Sequence, residues 1–335
     1  MKLVMTLLVR DEADIVDAQI GFHLAAGVDF VVATDHESRD GTTDVLERYA
    51  SDGVLHLLRE PGGELRSWAR QSEWVTRMAR MAASDFDADW VINSDADEFW
   101  WPWGGDLKDV LAHVPESFGM VHTFVRPFLP RPGDSPFLER MTVRFAPSAP
   151  INDASSPFRP NVRVLHRGSA EVSVATGNAA ISGLARGPLR GVVPVEVLHF
   201  PIRSFAHFER KFLTHETVRQ RRRGDHERAH EAARRGRLHE LYEEICVDDD
   251  DLRRGVADGS LVVDTRLRDA VRALSASTGA QLVFPSRNCA DEAGFAVDNA
   301  VLAAGELVRL QRRADELERR LGTLERRRSS KAGGD

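Results

Sequence analysis

Within the first hundred residues, short apolar runs alternate with stretches whose apolar residues recur at helical spacing, and few architectures accept that alternation. Residues 2–9 (KLVMTLLV) read as a buried strand, and residues 13–26 carry Ile15, Ala18, Phe22 and Ala25 at helical spacing before Gly27 stops the helix. A strand at 29–34, a turn at 38–41, a helix at 43–50 and a strand at 54–58 follow. A long helix at 65–83 then leads into a strand at 89–93. This βαβαβαβ order predicts an α/β domain, a mostly parallel sheet with helices on both faces.

Beyond Trp100 the pattern loosens. Proline and glycine crowd 102–105 and 127–136, marking loops around a strand at 120–126, and short strands are expected between 140 and 200. From Ser204 the chain turns helical, and the four aspartates within 247–251 read as a solvated loop and boundary. Leu307, Leu310, Ala314, Leu317, Leu321 and Leu324 form an a/d seam. That seam suits either a helix docked on its own domain or a homo-oligomeric coiled coil through residues 301–326. The expected domains are 1–245, a helical C-terminal extension at 246–328 and a disordered tail at 329–335.

Of the 335 residues, 42% are hydrophobic and 29% charged, enough to bury a large core, and the net charge of −7 argues against nucleic acid as the partner. The longest clean apolar run, residues 3–9, is too short to span a bilayer, so a cytoplasmic location is expected. Cys246 and Cys289 form no CxxC, which excludes a cysteine zinc site and leaves two buried thiols.

In an open α/β sheet the ligand sits beyond the carboxyl ends of the strands. Acids stand at three of those ends: Asp11 and Glu12 beside Arg10 after the first strand, Asp35 after the second, and Asp95 with Asp97 after the fourth. Residues i and i+2 of an extended segment point the same way, so Asp95 and Asp97 can present two carboxylates to one point. Such a pair is stabilised by a shared divalent cation, and hard oxygen ligands favour Mg²⁺ or Mn²⁺. A cation there would grip a diphosphate and neutralise the charge of a leaving nucleotide. A helix cap or solvated loop at 94–98 is the bland alternative.

The order and spacing of several motifs resemble the family-2-type glycosyltransferases with the GT-A fold, in the branch of the Glyco_tranf_2_4 and family-92 groups. They are LLVRDEAD at 7–14, HLAAGVD at 23–29, DHESRDGT at 35–42, WVINSDADEF at 90–99, and LHFPIRSF at 198–205 with Phe208, Glu209, Arg210 and Lys211. The resemblance spans residues 1 to about 215. It implies a Rossmann-like GT-A domain that moves a sugar, with inversion, from a nucleoside-diphosphate sugar to a hydroxyl of a glycan or other acceptor. By residue, it implies that Arg10, Glu12 and Asp35 border the nucleoside, that Asp95 lies near ribose and metal, and that Asp97 ligates Mn²⁺ or Mg²⁺. His199 would complete the metal shell, and Arg203 and Lys211 would serve the diphosphate. Asp11 and His36 stand where the family commonly has asparagine, and Ala179 stands where relatives often carry histidine.

An inverting transfer needs a general base on the acceptor side. Glu98 is nearest the metal motif, and Glu171, Asp134 and Asp153 lie in the region expected to face the acceptor. The aromatic run 99–103 suits either a sugar-stacking surface or a core patch. Arginine runs at 219–223 and 234–237 fit an anionic acceptor or membrane surface, although Asp225, Glu227 and Glu231 make a salt-bridged helix the plainer reading. Two rivals stand beside the enzyme. One is a non-catalytic nucleotide-sugar or polyanion-binding module assembled through the C-terminal helix. The other, a nucleotidyltransferase, should carry a glycine-rich basic loop where this chain reads Val9, Arg10, Asp11, Glu12.

Overall fold

The computed structural model describes residues 1–59, 68–146, 162–189, 192–214, 223–276, 280–287, 300, 311 and 314–321. The chain forms two compact units, Met1–Arg287 and Asn288–Asp335. In the second, residues 314–321 are helical, with Leu317 and Leu321 exposed. Leu307, Leu310, Leu324 and the tail lie outside the described residues, as do Asp153, Cys289 and Arg219 to Arg222.

The first unit begins as its sequence pattern requires, with β1 (Leu3–Val9), α1 (Val16–Ala25), β2 (Phe30–Asp35), α2 (Thr42–Ser51), β3 (Leu55–Arg59), α3 (Trp68–Ser84) and β4 (Trp90–Asp95). The next elements are β5 (Glu98–Pro102), α4 (Leu107–Ala112), β6 (Met120–Pro127), α5 (Phe137–Arg140), β7 (Val143–Phe145) and β8 (Val162–Arg167). The short strands β9 (Ser173–Val174), β10 (Ile181–Ser182) and β11 (Pro188–Leu189) precede β12 (Val195–His199). Helices α6 (Phe205–Glu209), α7 (Arg223–Arg234), α8 (Leu238–Ile245) and α9 (Asp249–Ala257) follow, with a π-helical turn at Arg210–Thr214. β13 (Leu261–Val263) and α10 (Arg266–Ala276) complete the described elements.

The main sheet runs β3-β2-β1-β4-β8-β6-β12-β5, with β11 beside β6. Strands β1 to β4 pair in parallel, as does β6 with β11 and β12, while β8 and β5 run antiparallel to their neighbours. β1 is apolar but for Thr6, whose hydroxyl donates to Asn93 Oδ1, because both of its faces are covered. Leu3, Met5 and Leu7 join a core with Ile20 and Phe22 of α1 and Leu267 of α10, whereas Val4 packs with Val75 and Met78 of α3. The fold is therefore the expected α/β sheet with helices on both faces.

One expectation changes, and one open alternative is decided. The aspartates at 248–251 cap and open α9: the Asp248 carboxylate accepts from the backbone N–H groups of Asp250 and Asp251, which stabilises a helix start. The aromatic run is core, since Phe99 and Trp100 have no exposed surface and Trp101 only 4%. It takes that place because β5 runs antiparallel to β12, from Glu98 opposite His199 to Pro102 opposite Val195, away from the strand tips. Residues 246–287 pack within the same unit as the sheet, held by a buried ion network. In it Arg126 pairs with Glu196, Arg144 with Asp264, and Arg266 with both acids. The α7 helix carries the Glu231–Arg235 pair, in keeping with a salt-bridged face. Among the described residues no helix is long and apolar enough to cross a membrane.

Candidate active site

Parallel pairing puts the C-terminal ends of β1, β2 and β4 at one edge, and β12, parallel to β6, brings His199 to Glu98 at the start of β5. The loop after β1 is pinned by its neighbour. Backbone N–H groups of Asp11, Glu12 and Ala13 donate to Ser38 Oγ (3.0 Å), Thr42 Oγ1 (2.8 Å) and Asp40 Oδ2 (3.0 Å). Asp35 organises that neighbour: its carboxylate accepts from the Ser38 backbone and hydroxyl and from Thr43 Oγ1. It is 5% exposed, so in this arrangement it shapes the loop that holds Glu12. Arg10 lies 3.3 Å from His36 Nδ1 and keeps 37% of its side-chain surface.

Arg203 follows β12 and is fully buried as a side chain. Its guanidinium donates to Glu12 Oε2 and, through Nε and Nη2, to both oxygens of Asp14 at 2.7 and 2.8 Å. A forked arginine between two carboxylates is a strong, directional contact, and it leaves no exposed guanidinium edge for a diphosphate. Burial pushes the Glu12 carboxyl up to about 7 against the pull of Arg203.

Asp97 is the centre of the cluster. Its Oδ2 lies 3.3 Å from His199 Nε2 and 3.4 Å from Lys211 Nζ, and its backbone carbonyl accepts from the Phe200 N–H at 2.8 Å. Burial disfavours the charged form, yet His199 and Lys211 outweigh it and hold the carboxyl well below the usual range. Lys211 also donates to the Pro201 carbonyl and keeps 37% of its side-chain surface.

Asp95 turns elsewhere. Its Oδ1 accepts from Asn178 Nδ2 at 3.3 Å, and its Oδ2 lies 3.9 Å from Arg163 Nη2. It keeps 45% of its side-chain surface exposed, and desolvation by the surrounding protein, then the Glu98 charge, pushes it up to about 7. Glu98 has no exposed surface and takes both Arg163 Nε and Nη2 on Oε1, at 2.6 and 2.5 Å. A carboxylate sealed in that pair supports the loop and does not meet an acceptor. Glu171 and Asp134 are exposed, the first beside β9 and the second in the loop before α5.

The structure thus gathers Glu12, Arg203, Asp97, His199 and Lys211 at one edge, with Asp95 and Glu98 beside them. Among the described residues, no group of three or more His, Cys, Asp or Glu is arranged to hold a metal ion, and Asp95 is engaged by Asn178 and faces Arg163. Asp97 with His199 forms a two-ligand pair. Sequence reasoning missed Asp14, Arg163 and Asn178. Arg163, set between Val162 and Val164 on a buried strand, carries a signal: an arginine there must find a carboxylate.

No family model and no curated protein matches the chain. Similar solved structures include S. aureus TarS, at 14% identity over 64% of this chain and 40% of that one, with a TM-score of 0.32. Residues 1–349 of TarS in complex with UDP-GlcNAc match at 14% identity over 59% and 58% of the two chains, with a TM-score of 0.32. A 4-diphosphocytidyl-2C-methyl-D-erythritol synthase matches at 12% over 50% and 75%, with a TM-score of 0.28. This chain spans 40% of the length of the first TarS structure. Scores this low give no basis for an activity, which the chemistry of the site has to supply.

Proposed function

We propose that this chain is a GT-A glycosyltransferase, moving a sugar from a nucleoside-diphosphate donor to a hydroxyl acceptor with inversion. The observation that carries this reading is the clasp at Asp97, where an ionised carboxylate, an imidazole and a half-exposed ammonium converge at the carboxyl edge of a parallel sheet. The motifs that resemble family-2-type enzymes supply the same residues in the same order.

Asp97 and His199 fit a divalent ion as an oxygen and a nitrogen ligand, and Mn²⁺ or Mg²⁺ held there would neutralise charge on the departing diphosphate. Lys211 supplies a second positive charge on the exposed side of Asp97, placed to hold a diphosphate oxygen. Arg203 works from behind: by fixing Glu12 and Asp14 it sets the loop that borders the nucleoside. Glu98 and Arg163 stiffen the turn that carries Asp97.

Thermal shift with a panel of nucleoside-diphosphate sugars, UDP-GlcNAc among them, tests the reading with and without Mn²⁺. The expected result is a rise of several degrees for one donor in the presence of metal, lost in Asp97→Asn, followed by transfer with an inverted anomeric centre in the product. Binding without turnover on any acceptor would favour the non-catalytic module, and no shift with any donor would overturn both.

A further inference from the structure

A buried asparagine beside the clasp has a use of its own. Asn178 ends the 3-10 turn Thr176–Asn178, between β9 and β10, and is 3% exposed. Gly177 at φ 72° and Asn178 at φ 54° are both left-handed, a run that reverses the chain tightly; glycine accepts it freely, and asparagine better than most side chains. The turn is independently fastened. The Val174 N–H donates to Thr76 Oγ1 at 2.9 Å, the Ser72 hydroxyl donates to the Val174 carbonyl, and Ala175 N–H donates to the Ala180 carbonyl. The backbone of the turn therefore does not depend on the Asn178 side chain. That side chain instead reaches inward, and its amide donates to Asp95 Oδ1. On the other oxygen stands Arg163, itself fixed by its two contacts with Glu98. One carboxylate oxygen thus accepts an amide hydrogen bond while the other faces a guanidinium 3.9 Å away, and these two partners, from different elements, distinguish the two oxygens. The Asp95 side chain keeps 45% of its surface exposed.

We propose that Asn178 is a positioning residue for the donor site: it acts through Asp95, and with Arg163 it sets the carboxylate's orientation before the nucleotide arrives. The inference rests on the donor reading of the cleft. A preset carboxylate spares the ligand the cost of ordering it, so the amide acts on donor affinity.

Asn178→Gly tests the effect, since glycine keeps the left-handed backbone and removes the side chain that carries the amide. Dissociation constants for UDP, GDP, ADP and CDP with Mn²⁺ are measured by calorimetry on the full chain for wild type, Asn178→Gly, Asp95→Ala and the double variant. Melting temperatures without ligand are recorded alongside. The expected result is a roughly tenfold weaker affinity for the preferred diphosphate in Asn178→Gly at a melting temperature close to wild type, with the double variant no weaker than Asp95→Ala alone. A purely structural asparagine would give additive losses. Wild-type binding together with an unchanged Asn178→Gly affinity, or with additive losses in the double variant, overturns this inference alone. A wild type with no affinity for any of the four diphosphates overturns the donor reading and the inference with it.

Discussion

Glu98 directly follows the acids of the candidate site in sequence, yet its carboxylate faces a buried arginine. Removing it strands the Arg163 guanidinium in a nearly dry setting, where an uncompensated charge costs about 3–5 kcal/mol. Glu98→Ala is therefore expected to lower unfolding stability by that order in urea titrations, whereas Glu171→Ala on the surface should change it by less than about 0.5 kcal/mol. The residues of the site were legible as a set but not in their partnerships. Acids at strand ends mark the edge where chemistry collects, which is why Glu12, Asp95 and Asp97 stood out. Arg203 and Lys211 were named with one purpose and make different contacts. Their difference is whether the side chain meets Asp14 and Glu12 or lies beside Asp97, and such contacts, made across 189 and 114 residues, leave no local pattern.

Elements were legible where both propensity and burial agreed. The strands β1, β2 and β4 are mostly apolar because they are buried, and the helices between them repeat at the helical period, so both show in the order of residues. The aspartates of α9 illustrate the failure. Four acids in a row look like solvated loop, but an aspartate that caps a helix, followed by acids in its first turn, also complements the positive helix end. Asp248→Ala should loosen the start of α9, measurable as faster amide exchange in Asp250 and Asp251. The aromatic run was left open for a different reason. Side-chain chemistry suits a sugar face and a core equally, and only the antiparallel direction of β5, fixed by pairing with a strand nearly a hundred residues later, decides.

Across the whole molecule, two histidines tie the sheet to solution conditions. His23 accepts from the Trp100 N–H at Nε2 and lies 2.7 Å from the Gln19 carbonyl at Nδ1, while His166 bridges Asn93 and the Arg167 carbonyl. Each is satisfied as one neutral tautomer, and burial pushes both from 6.5 down to about 4. Because the unfolded chain takes up these protons first, the stability they represent is complete above pH 6.5 and is lost as pH falls toward 4. By linkage this is worth roughly 3 kcal/mol per histidine. Denaturation midpoints should fall steadily over that interval, and His166→Gln should flatten part of the slope. The ion network of Arg126, Glu196, Arg144, Asp264 and Arg266 extends the same unit beyond α8. Its members are ordinary charged residues in sequence, and only their burial makes them a fastening.

The Arg203 clasp has a consequence for how the protein comes into being. Its carboxylate partners leave the ribosome about 190 residues before the arginine does, so during synthesis Glu12 and Asp14 wait without their counter-charge. The early strands can associate in that interval, but the cleft they border can close into its working form only after the later strand has threaded into the sheet. Nascent fragments ending before that strand should therefore acquire the parallel half of the sheet and remain unable to retain a nucleotide.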